Sequence, residues 1–155
     1  MTASAPGARV LEDFETEAEL HRFTALNGLV ATLVTQGVTH GTKAALLRFV
    51  PGQMFPNLRW EAGATGPLED WSGYDALKVD IFNPGARQAQ VQIKLKSGRA
   101  GEKSFTQPVI LGPGDARTAE VKLARARAQG LDTSRISHLE FFVFRPAEEV
   151  RLVVD

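Results

Sequence analysis

Cysteine is absent from the 155 residues, which removes disulfides, thiolate nucleophiles and Cys-ligated metals and leaves the redox compartment open. Charge of one sign is not in excess either. Eighteen Lys and Arg balance 18 Asp and Glu, so the chain lacks the basic surplus with which proteins meet nucleic acid or an anionic membrane. No apolar run approaches the roughly 18 residues of a membrane span, and residues 1–9 lack the basic start and apolar stretch of a signal peptide. Histidine is scarce: His21, His40 and His138 share no ligand spacing, and G-x-S-x-G, P-loop and H-E-x-x-H motifs do not occur. Catalysis of the familiar kinds therefore finds little footing.

What is present is an ordinary globular composition, 43% hydrophobic and 23% charged, at a length that favours one domain with a core of its own. Residues 1–8 (MTASAPGA) are small and polar and read as a flexible leader, which leaves residues 9–155 as a single domain. RVLEDFE reads as a first strand. In TEAELHRFTALNG, Thr16 is placed as an N-cap with Glu19 three positions on, Leu20 and Phe23 share a face, and Asn27-Gly28 is a stop, which predicts one or two helical turns. From Leu29 the period changes to two. LVATLVTQGV, TKAALLRFVPG and NLRWEAG are apolar-alternating runs bounded by Gly or Pro. In the centre Leu77, Val79 and Ile81 alternate with Lys78, Asp80 and Phe82 up to a turn at Asn83-Pro84-Gly85; Ala89, Val91, Ile93 and Leu95 then alternate with Gln90, Gln92 and Lys94. KSFTQPVIL, TAEVKLA, HLEFFVF and VRLVVD complete the series, and LARARAQGLDTSR is a loop that carries a helical turn. Strands of five to eight residues with one short helix after the first predict an all-β, antiparallel two-sheet sandwich or jelly roll. An end directly after an apolar strand suggests a domain cut from a longer protein or one with a short missing tail.

LEDFE near the start, DWSGYDALKVDIFNPG in the middle and FFVFRPAEEVRLVVD at the end resemble the jelly-roll carbohydrate-binding modules of the galactose-binding-like superfamily, found beside glycoside hydrolases such as agarases. The likeness spans most of residues 10–155. It implies an extracellular or periplasmic, monomeric ancillary domain, covalently linked to a catalytic one, that binds polysaccharide or oligosaccharide or else merely supports its neighbour.

Sugar hydroxyls donate and accept at once, so rows of amide, carboxylate and basic groups suit them, and the apolar faces of a pyranose stack on aromatic rings. The polar strand faces supply such rows: Lys78 and Asp80, then Gln90, Gln92 and Lys94, then His138 and Glu140. By the resemblance these converge on one concave sheet, while the apolar parity of each strand packs inward. Trp60, with Arg59 beside it in NLRWEAG, is the candidate stacking ring, and Trp71 and Tyr74 in DWSGY read as structural. The same rows also fit the plain solvated side of an amphipathic sheet.

The resemblance further implies a structural calcium where the first strand meets the last, at Glu15 and Asp155, completed by loop carbonyls near residues 36–41. Two alternatives stand beside the binding module. One is a spacer or docking domain, which an exposed apolar patch at Phe55, Phe142 or Phe144 would favour. The other is a small jelly-roll glycosidase using Asp80 and Glu140, which requires the two carboxyls roughly 5–9.5 Å apart.

Overall fold

The computed structural model describes residues 2–4, 7–62 and 67–155, and these form twelve strands and two short helices. One sheet is seven-stranded: β1 (Thr2–Ser4), β2 (Arg9–Val10), β4 (Val30–Val34), β5 (Ala44–Phe49), β7 (Ala76–Phe82), β10 (Ala116–Lys122) and β12 (Val150–Val154). The other runs in the order β3 (Phe23–Leu26), β6 (Asn57–Glu61), β11 (Ile136–Phe142), β8 (Ala89–Ser97), β9 (Lys103–Leu111). Every pairing is antiparallel, and the two sheets stack as the sandwich that the alternating runs predict.

The buried face follows from period-two geometry, since side chains at i and i+2 share a face. Leu77, Val79 and Ile81 from β7 are buried, as are Val91, Ile93 and Leu95 from β8 and Leu139 and Phe141 from β11, with Val143 just beyond. Together with Phe14, Phe49, Leu58 and Trp71 they form one core. In the seven-stranded sheet β10 pairs along the whole of β7, while the other edge of β7 is shared by β1 (at residues 76–78) and β12 (at 81–82). β12 therefore lies between β5 and β7.

The chain crosses from β7 to β8 at Asn83-Pro84-Gly85. Asn83 is buried, and its Nδ2 donates to the carbonyls of Arg87 (2.8 Å), Leu111 (3.2 Å) and Gly112 (3.1 Å), while its Oδ1 accepts from the Gly85 N–H (2.9 Å). One side chain thus satisfies backbone groups on both sides of the crossing.

Three sequence expectations are corrected. Thr2–Ser4, inside the expected flexible leader, pairs with β2 and β7, while residues 1, 5 and 6 lie outside the described residues. RVLEDFE is a strand only at Arg9–Val10, because Phe14 turns into the left-handed region (φ 53) to bury its ring against Phe23 at 5.4 Å. The predicted helix is confined to α1 (Glu17–Leu20), with the Thr16–Glu19 capping box formed on both sides. Phe23 does not continue it but opens β3 opposite Trp60, since strand pairing outweighs local helical preference. The second helical turn, α2 (Leu123–Ala128), falls where the loop was expected to carry one.

Candidate functional site

The outer face of the five-stranded sheet carries polar residues in register. One row reads Thr24, Arg59, Glu140, Lys94, Thr106; the next reads Glu61, His138, Lys96, Ser104; on the other side lie Asn57, Phe142, Gln92, Pro108, then Gln90 beside Ile110. Six of the sequence-derived candidates, Arg59, Gln90, Gln92, Lys94, His138 and Glu140, are thereby brought together on one surface. Glu140 is nearly buried and is held by Arg59 Nε (2.8 Å) and Lys96 Nζ (3.1 Å). Arg59 also reaches Glu61 (3.4 Å). His138 touches the Ser137 hydroxyl through Nδ1 (2.8 Å) and faces Glu61 through Nε2 (3.4 Å). Burial pushes the His138 imidazole below its ordinary value, against the pull of Glu61, while Lys96 and Arg59 add to the downward shift.

At the end of this face Phe142 meets Phe55, which in turn meets Phe144, both from outside the strands. Phe55 lies 5.8 Å from Phe142, edge on, and 5.3 Å from Phe144, and the Arg145 guanidinium sits 5.8 Å from the Phe144 centroid. Phe55 is 40% exposed and Phe144 56%, so the cluster is open to solvent beside Gln92, the register neighbour of Phe142. Exposed aromatic rings next to amides are a combination that suits sugar rings.

Trp60 is not on this face. It shares parity with Leu58, sits opposite Leu139 and Phe23, and stacks on Trp71 at 6.4 Å and 26°, partly buried against the core. Neighbours on a strand point to opposite sides, so Arg59 and Trp60 cannot serve one surface. The aromatic ring that this face does carry is Phe142, joined at its end by Phe55 and Phe144, and the shared parity of His138, Glu140 and Phe142 was the signal for it. Trp71 is fully buried, in keeping with a structural role.

Lys78 and Asp80 are also misplaced by the sequence reading, because β7 belongs to the seven-stranded sheet and they point out from its far side. Asp80 accepts from the hydroxyls of Thr118 (2.5 Å) and Thr39 (2.7 Å). Burial works to raise its carboxyl, yet these two donors outweigh it and hold the group below the usual carboxylate value. Asp80 and Glu140 face away from each other on sheets packed about 10 Å apart, which puts them beyond the spacing of a glycosidase pair.

Glu15 and Asp155 do reach one loop. Asp155 Oδ2 accepts from the N–H groups of Thr39 (2.7 Å) and His40 (2.8 Å), and Glu15 accepts from those of Thr42 (2.8 Å) and Lys43 (3.0 Å). The Lys43 and Thr42 N–H groups hold the Glu15 carboxyl below its ordinary value. Gly41 suits the turn between them: its φ is 66, in the left-handed region that favours glycine, and a Cβ there would meet the Glu15 carboxylate. The fit to calcium is uneven. Both Glu15 oxygens are engaged by protein donors, whereas Asp155 Oδ1 is buried without one, the kind of oxygen a cation would complete.

The fold is that of the jelly-roll β-sandwich domains, with a polar and aromatic outer face on its five-stranded sheet. Its solved likenesses are domains of sugar-active proteins. An exo-β-agarase superposes with a TM-score of 0.77 at 16% identity over 94% of this chain and 24% of its own. The agarase AgWH50C gives 0.76 at 16% identity over 96% of this chain and 24% of its own, so the chain spans about a quarter of either agarase. The family 11 carbohydrate-binding module from Clostridium thermocellum, solved with a β-1,3-1,4-mixed-linked tetrasaccharide, gives 0.69 at 14% identity over 94% of this chain and 90% of its own. No family model matches the sequence, and no curated protein matches it.

Proposed function

We propose that this domain is a non-catalytic carbohydrate-binding module, ancillary to an exported glycoside hydrolase, that holds a polysaccharide across the outer face of its five-stranded sheet. The observation that carries the reading is the continuity of the Phe55–Phe142–Phe144 cluster with the Gln90, Gln92 and Lys94 row. Sugar rings would stack on the phenylalanines while the amides, His138 and Lys94 meet hydroxyls. Glu140, fixed by Arg59 and Lys96, keeps the middle of the face rigid. Support comes from the shared fold of the agarase domains and the family 11 module.

Titration calorimetry against a panel of soluble polysaccharides, with sugar release followed in the same samples, tests the reading. Gln92→Ala is expected to weaken binding by roughly 0.5–1.5 kcal/mol, the net worth of a hydrogen bond, and Phe142→Ala by at least roughly as much. Binding without sugar release is the expected outcome. Absence of binding to every glycan by the folded domain refutes the reading and favours the spacer, for which the exposed Met54, Phe55 and Phe144 side chains would be the docking patch.

A structural calcium belongs to the same proposal. Asp155 would offer Oδ1, with Glu15 as the second carboxylate and carbonyls of the loop at residues 36–41 filling the shell. The ion would supply positive charge that ties the last strand to that loop.

A further inference from the structure

The ion pairs of the five-stranded face do not balance locally, although the whole chain is neutral. Arg59 is divided between Glu140 and Glu61, Lys96 binds Glu140, and His138 faces Glu61. Lys94 stands directly beside Glu140 in register, yet both partners of Glu140 are other cations, and Lys94 has no ion pair among the described residues. β8 and β9 contribute no Asp or Glu anywhere along 89–97 or 103–111. Its other register neighbour is Thr106. Three permanent cations, Arg59, Lys94 and Lys96, thus meet two carboxylates, and the unmatched one is half-buried in the middle of the face, one row from Phe142 and Gln92. A partly desolvated ammonium is stabilised by an anion brought within hydrogen-bond reach.

We infer that the polysaccharide held on this face carries an acidic group, a uronate carboxylate or a sulfate ester, that pairs with Lys94. The inference rests on the binding-module reading and narrows its ligand class. The amides of Gln90 and Gln92 then read neutral hydroxyls on the sugars that flank the acidic one.

The intact domain is titrated by calorimetry with polygalacturonate, a sulfated galactan and neutral agarose oligosaccharides, at low salt and at about 0.5 M salt, where charge attraction is screened within a few ångström. At least one acidic polymer is expected to bind about tenfold more tightly than the neutral chain, the scale of one charge-assisted contact, and to lose most of that advantage in high salt. Which polymer shows it separates carboxylate from sulfate. Lys94→Gln is expected to remove the advantage, Lys94→Arg to keep it, and Arg117→Gln, the same charge change on the opposite sheet, to leave it unaltered. Neutral chains bound as tightly as both acidic ones, or a full advantage retained in Lys94→Gln, overturns the inference while the binding-module reading survives. If none of the three binds to domain whose circular dichroism shows it folded, the binding-module reading fails and the inference with it.

Discussion

Replacing Asn83 by alanine removes the donor that three carbonyls share at the crossing between the sheets. Each such bond has a net worth of roughly 0.5–1.5 kcal/mol, and a buried acceptor left without a donor costs about 1–3 kcal/mol. Only the Leu111 carbonyl is bonded in a fully buried setting, and the other two retain access to water. The loss is therefore expected at about 2–4 kcal/mol, a large share of the roughly 5–15 kcal/mol that a domain of this size has to lose. Urea denaturation followed by tryptophan fluorescence should show a lower midpoint with an unchanged slope. Asn83→Asp keeps the acceptor for Gly85 but turns a donor into an anion facing three oxygens. That carboxyl would have its folded pKa raised, so the folded state binds the proton more readily and stability falls as pH rises above the ordinary carboxylate value of about 3.9, levelling off above the folded pKa. Asn83→Asp is expected to be the worse variant at pH 7 and to recover towards pH 4. An alanine variant within about 0.5 kcal/mol of the parent, or an aspartate variant as stable as the parent at pH 7, would refute the reasoning.

Trp60→Ala is expected to lower stability by about 2–4 kcal/mol through lost packing on Trp71, while leaving glycan affinity unchanged by calorimetry. Because burial holds His138 below 6.5, the unfolded chain takes up that proton first, so stability should decline as pH falls below 6.5 and level off under the folded pKa. His138→Gln should abolish that segment of a pH series of urea midpoints. Glu149, drawn down to about 2 by Arg48 and Arg151, contributes stability above its ordinary 4.5 that is lost as pH falls towards 2. Glu149→Gln should flatten that acid limb slightly, since the group is at the surface. Saturating calcium should raise the melting temperature over that in chelator by mass action, and Asp155→Asn should reduce the shift; an unchanged midpoint in the parent counts against the ion.

Much of the fold is legible because period two decides which side of a strand is buried, and it does so for Leu77, Val91 and Leu139 alike. The Thr16–Glu19 box and the Asn83 turn are legible because their chemistry is local. Which sheet a strand joins is not local. Lys78 and Asp80 have the same alternation as Gln90 and Gln92, and only the partners of β7 send them to the far side. Phe55 is likewise invisible as part of the face, because it lies outside any strand and meets Phe144 across 89 positions of chain. Arg59 and Trp60 are a different case, since adjacency on a strand already separates them.

The place of β12 governs the order in which the molecule is made. Synthesis delivers β5 and β7 long before residues 150–154, and until that last segment emerges each of them has an open edge where β12 will lie. Hydrogen-bonding groups on those edges face water, or any other strand that passes, which is the condition under which nascent β proteins aggregate. The seven-stranded sheet can close only by insertion of β12 between two strands made well before it, so its folding is expected to be slow and sensitive to truncation within 150–154.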